Sequence, residues 1–137
     1  MVDLTKCGEG KCKAVDKAQK LLIHTLKICS SENNFPKRYR WCLTNKIVDL
    51  AIDIVIETNI ANQYNVFDKM RYIRRKMHQI RALTLTYALE VLVDTAYKFL
   101  GIGSFNVNYW ADLIRSLRKT MLNWQESDKR RREERMS

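Results

Sequence analysis

The stretch 66–104, VFDKMRYIRRKMHQIRALTLTYALEVLVDTAYKFLGIGS, decides the architecture of this chain. It contains no proline, and its first glycines come at Gly101 and Gly103, where a helix customarily stops. One long helix from about Val66 to Leu100 follows. Arg71, Arg74, Arg75, His78 and Arg81 fall on one flank of that helix, and Met70, Ile73, Met77, Ile80 and Thr84 occupy the adjoining arc. The apolar arc is expected to enter the core and the cationic flank to face outward.

Three further helices surround it in the sequence. Helix 1 is expected over about Ala14–Cys29, burying Ala18, Leu21, Leu22, Thr25 and Ile28, and ending in the polar run 30–34. Lys13, Lys17, Lys20, His24 and Lys27 recur at steps of 4, 3, 4 and 3, which confines them to an arc of about 80°. Phe35 and the only proline, Pro36, shape the link to helix 2, because proline disfavours helical geometry in the residue before it. Helix 2, about Tyr39–Ala61, carries Leu43, Ile47, Leu50, Ala51, Ile54, Thr58 and Ala61 on one face. Trp41, Val48, Ile52, Val55 and Ile56 cover much of the other. A helix apolar on two sides needs two burial partners, so this second face is expected to be an oligomer interface. Helix 4, about Asn106–Trp124, sets Arg115, Arg118 and Lys119 beside Trp110, Leu113, Ile114, Leu117 and Met121.

Four amphipathic segments with short links predict an all-α fold, an antiparallel up-down four-helix bundle over residues 14–124. A leader, 1–13, with Gly8 and Gly10 precedes it. A basic tail, 125–137, either extends helix 4 or remains disordered.

With 137 residues the chain has room for one domain. Its 25 Lys and Arg against 15 Asp and Glu give a net charge of +10 and a pI near 9.6, which favours an anionic partner or serves solubility. No apolar run reaches the roughly 18 residues of a membrane span, and the polar start, with Lys6, Glu9 and Lys11, does not read as a signal peptide. The expected location is the cytoplasm, with no membrane partner. Cys7, Cys12, Cys29 and Cys42 are expected as reduced thiols, since 46% hydrophobic content supplies a core without disulfides.

Solvated helix faces usually mix charge signs, whereas 69–81 holds six Lys or Arg and no carboxylate. This uncompensated charge is why a polyanion is the expected partner. Phosphate neutralisation requires no base-reading motif, and none is present, so binding is expected to be sequence-tolerant. The candidate nucleic-acid-binding residues are Arg71, Arg74, Arg75 and Arg81. Lys13, Lys17, Lys20 and Lys27 on helix 1, with Arg115, Arg118 and Lys119 on helix 4, are weaker candidates. The spacing of Cys7 and Cys12 lacks the second ligand pair that zinc needs, so no metal is expected. Asp49, Asp53 and Glu57 lack the Glu-x-x-His partners of bundle metal sites and are expected to pair with basic neighbours. His24 and His78 have no carboxylate or nucleophile at a spacing suited to general-base work. No phosphate loop or nucleophile elbow occurs, and neither an enzyme nor a cofactor is expected.

The segment from Phe35-Pro36-Lys37-Arg38-Tyr39-Arg40-Trp41-Cys42-Leu43 to Glu57-Thr58-Asn59-Ile60-Ala61-Asn62 resembles the accessory variability determinant family of diversity-generating retroelements. The likeness continues through the cationic start of helix 3, the Leu100-Gly101 turn and Leu117 to Trp124, covering about residues 14–125. What it implies is a ring-like homopentamer that binds RNA and DNA and associates with the element's reverse transcriptase during mutagenic retrohoming. It also implies that surface basic residues make those contacts, here Arg71, Arg74, Arg75 and Arg81 first. A sister group, bundle proteins encoded in intervening sequences of large-subunit ribosomal RNA, shares the Phe-Pro start and the Asn59-Ile60-Ala61 remnant. The proline and glycine of its helix 2 ending are missing here. That alternative, and a partner-binding scaffold whose charge only maintains solubility, are the rival readings.

Overall fold

Helical periodicity becomes helix wherever the sequence carries it. The computed structural model describes residues 9–136, which form α1 (Glu9–Cys29), α2 (Asn45–Gln63), α3 (Lys69–Leu100) and α4 (Ser104–Met136). Among the described residues there is no strand, and no helix is long and apolar enough to cross a membrane. The expected leader, 1–13, lies outside the described residues as far as position 8. From Glu9 the chain is already helical, five residues ahead of Ala14. At the other end, 125–136 is the continuation of α4 rather than a separate tail.

The α1–α2 link is built by Phe35, which is buried, and Pro36, whose extended backbone starts a 3-10 turn over Lys37–Tyr39. A π-helical turn over Arg40–Thr44 then leads into α2, so this helix starts later than Tyr39. Asn65 Oδ1 accepts hydrogen bonds from the backbone N–H groups of Phe67 and Asp68, both at 3.0 Å, turning the chain into α3. Gly101 ends α3 with φ of 70°, a left-handed geometry that costs glycine little, and its N–H donates to the Tyr97 carbonyl.

The core takes one row from each helix: Ala14, Ala18, Leu21 and Ile28 from α1, and Ile47, Ala51, Ile54 and Ala61 from α2. Ala82, Leu89, Val93 and Ala96 come from α3, and Trp110, Ile114, Leu117, Met121 and Trp124 from α4. Alanines on the first three helices leave room for the two tryptophans of the fourth. Trp110 Nε1 donates to Thr25 Oγ1 at 2.9 Å, and that hydroxyl donates to the Leu21 carbonyl at 2.7 Å. Position 17 of α1 meets 120 of α4, and 25 meets 110.

The faces expected for α1, α2 and α4 are the ones buried. On α3 the expectation is reversed. Met70, Ile73, Met77, Ile80 and Thr84 are exposed, and the core face is Arg75, Gln79, Ala82, Thr86, Leu89, Val93 and Ala96. The cause is a polar lock. Arg75 and Asp128 are almost wholly buried, and the guanidinium donates from Nε and Nη2 to the two carboxylate oxygens at 2.6 and 2.9 Å. Gln79 Nε2 donates to the same carboxylate at 2.9 Å, and Arg75 Nη1 donates to the Tyr64 carbonyl at 2.7 Å. The Trp124 ring covers the guanidinium at 4.8 Å. A buried charge so fully partnered can occupy a core row that composition alone would give to methionine and isoleucine.

The thiols differ in access. Burial pushes the Cys29 thiol up to about 12, while Cys42 is exposed. Iodoacetamide at pH 8 should therefore label Cys42 at least ten times faster than Cys29, read by peptide mapping. Equal rates would show that α1 opens at its C-terminal turn.

Candidate nucleic-acid interface

Of the six cations at the start of α3, five reach the surface. Arg75 does not, so it cannot touch a polyanion, and its expected role in binding is corrected by its burial against Asp128. Arg71 lies 3.8 Å from Asp68, and Arg81 only 4.0 Å from Glu57. Such long pairs, each with an exposed arginine, contribute little. Lys69, Arg74 and Lys76 are exposed and make no ion pair with the described residues. Arg71 and Arg74 line one open recess of about 510 Å³ together with Gln63, Tyr64 and Met70. The Tyr64 ring is stacked on His78, with centroids 6.0 Å apart, and His78 Nδ1 is hydrogen-bonded to Glu57.

The last turns of α4 arrive at the same place. Arg132 Nη1 donates to the carbonyls of Val66 and Phe67 at 2.9 and 3.2 Å and lies over the Tyr72 ring at 4.9 Å. Arg131 and Arg135 lie over Phe67 at 5.8 and 4.3 Å, while Lys129 and Arg130 are exposed. The end of α2, the start of α3 and the end of α4 thus assemble a cationic bundle end around the Arg71–Arg74 recess. None of the α4 tail cations was among the expected site residues. Their signal was available, because the buried row Trp110, Ile114, Leu117, Met121, Trp124 continues at the same 3 and 4 steps to Asp128, and so carries the helix past Trp124.

The other cations divide between surface and structure. Lys13, Lys20, Lys27 and Lys119 are exposed, but Lys17 Nζ donates to Thr120 Oγ1 at 2.6 Å and helps join α1 to α4. Arg118 is tied to Glu90 at 2.7 Å, donates from Nε to Thr86 Oγ1 and covers the Tyr87 ring at 3.8 Å. Arg115 lies 3.5 Å from the same carboxylate. Arg118 serves the α3–α4 contact, while Arg115 stays 64% exposed beside it. Lys20 and Lys27 flank a recess of about 330 Å³ that also includes Ile23, His24 and Tyr109. Burial, reinforced by the Lys27 charge, holds His24 below its ordinary value despite an opposing hydrogen bond at the Asn106 backbone. Its edge meets Tyr109 at 4.7 Å.

On α2, Glu57 faces His78 and Arg81, whereas Asp49 and Asp53 point to solvent. The expected interface residues Trp41, Ile52 and Ile56 are exposed, Trp41 at 83%, and Val48 and Val55 are half-buried. No protein-family model, no curated protein and no solved structure matches this chain.

Proposed function

We propose that this protein is a non-enzymatic, nucleic-acid-binding accessory protein. In this reading it holds a template RNA or its cDNA for the reverse transcriptase of a diversity-generating retroelement in the cytoplasm. The proposed form is an antiparallel up-down bundle assembled into a ring-like homo-oligomer through the outer face of α2, with five subunits by resemblance. The observation that carries the binding is the cationic bundle end, where Arg71 and Arg74 share a recess and the α4 arginines extend the positive surface. The mechanism is electrostatic: each phosphate neutralised releases counterions, and copies around a ring add weak contacts into avidity. The link to a reverse transcriptase rests on the resemblance of Phe35–Leu43 and Glu57–Asn62 to the accessory variability determinant family.

The test is titration of unrelated RNA and DNA oligonucleotides by fluorescence anisotropy at several salt concentrations. Affinity should be similar across sequences and fall steeply with salt, and Arg71→Gln with Arg74→Gln should lower the log–log slope by about 1–2 per engaged protomer. The same change should leave the helical spectrum intact, since both side chains are exposed. Binding that ignores salt, or is unchanged in the variant, removes this site. Weak, salt-independent binding would leave the solubility reading, whereas salt-dependent binding unchanged in the variant would move the site to the exposed cations of α1 or of the end of α4.

A further inference from the structure

The outward face of α3 repeats with unusual regularity. Met70, Ile73, Met77 and Ile80 lead through Thr84 and Tyr87 to Val91 in strict steps of 3 and 4, and every one is exposed. This is the 3.5-residue period of a helix–helix seam, sustained for three heptads. Arg75, Ala82 and Leu89 lie on the opposite side and are buried in the chain's own core. The seam therefore points away from the bundle, and no described residue covers it.

A second uncovered row runs from the π-helical turn into α2, where Trp41, Ile52 and Ile56 are exposed beside Val48. The two rows have complementary charge. Lys69, Arg74, Lys76 and Arg81 border the α3 seam, with no carboxylate between positions 69 and 89, whereas exposed Asp49 and Asp53 border the α2 row. Lys46, in the first turn, is the only cation of α2, and Arg40 adjoins Trp41 in the turn before it. Two α3 seams facing one another would instead set cation against cation, at every level if parallel and at the central Arg81 if antiparallel. A contact between different surfaces of identical chains is head-to-tail, and such contacts close into rings when the rotation permits.

We propose that the outer row of α2 in one subunit docks on the α3 seam of a second copy of this chain. This rests on the oligomer proposed above and names the surface that meets α2. Asp49 and Asp53, which share one flank of the α2 row, then face Lys69 and Lys76, which share one flank of the seam, while Arg71, Arg74 and the α4 arginines at the bundle end stay open to nucleic acid.

The experiment mixes two variants of the full chain, Ile52→Asp/Ile56→Asp in α2 and Ile73→Asp/Ile80→Asp in α3. All four isoleucines are partly exposed, so folding should persist, as checked by circular dichroism. Light scattering after size exclusion should give an oligomer for the parent and the 16.2 kDa monomer for each variant alone. An equimolar mixture should give twice that mass, because one intact α2 row still meets one intact α3 seam. A mixture that stays monomeric overturns the proposal, as does either variant keeping the parent's mass by itself. Should an aspartate variant fail to fold, the charge reversals Asp49→Lys/Asp53→Lys and Lys69→Glu/Lys76→Glu provide the same test, each weakening assembly alone and restoring it when mixed. A monomeric parent removes both ring and seam. A parent that assembles but does not bind RNA removes only the nucleic-acid reading.

Discussion

Asp128→Ala should destabilise the protein by about 3–5 kcal/mol, the usual cost of removing one partner from a buried ion pair. The substitution leaves the Arg75 guanidinium inside the bundle with only the Tyr64 carbonyl and the Trp124 ring, and it also strips Gln79 of its acceptor. Single domains are stable by only about 5–15 kcal/mol, so much of the margin is lost. Urea unfolding followed at 222 nm provides the measurement, with Arg74→Ala as the surface control expected to stay within about 0.5 kcal/mol. The Arg75→Met/Asp128→Leu double variant should recover most of the loss, because no charge is then left unpaired. A loss below about 1 kcal/mol for Asp128→Ala would mean that water reaches the pair and that α4 frays before Asp128.

Trp110→Ala should cost a similar amount, about 3–5 kcal/mol, for a different reason. Trp110 is fully buried among rows from the other helices, with Phe35 edge-on at 6.3 Å and His24 at 6.2 Å. Its removal opens a cavity where the link between α1 and α2 folds back on α4, and most of the expected cost is lost packing. The hydrogen bond is a minor part, because Thr25 keeps its own bond to the Leu21 carbonyl. Trp110→Phe should accordingly retain more than half of the lost stability. If the phenylalanine and alanine variants unfold at the same urea concentration, the indole N–H matters more than the ring volume.

These two residues mark what could and could not be read from the chain. Trp110 stood on an unambiguous stripe, and the faces of α1 and α4 followed from periodicity because only one row in each was fit for the centre, while of the two apolar faces of α2 the one holding Ile47, Ala51, Ile54, Thr58 and Ala61 is buried. On α3 two rows share the helical period. The more hydrophobic one, Met70 to Thr84, faces outward, while the buried one begins with Arg75 and Gln79. Hydrophobicity ranks those rows in the wrong order because the stabilising partner, Asp128, lies 53 residues away in the sequence. The same blindness to distant partners separates the site residues. Arg71, Arg74, Arg115, Lys13, Lys20, Lys27 and Lys119 reach solvent, whereas Arg75, Arg118 and Lys17 are engaged with Asp128, Glu90 and Thr120 from other helices. Single-helix patterns cannot distinguish a cation waiting for an anion from one already satisfied.

That separation of 53 residues also has a meaning in time. At about 5–20 residues per second, roughly 3–10 s pass between the synthesis of Arg75 and that of Asp128. A growing chain that has completed three helices holds an arginine on the side meant for its interior and has no counter-charge to bring it in. Closure of the bundle is deferred to the last turns of α4, and the carboxylate that completes the core is on the same helical segment that delivers the outer arginines. Burial of the inner charge and presentation of the outer ones thus become a single event.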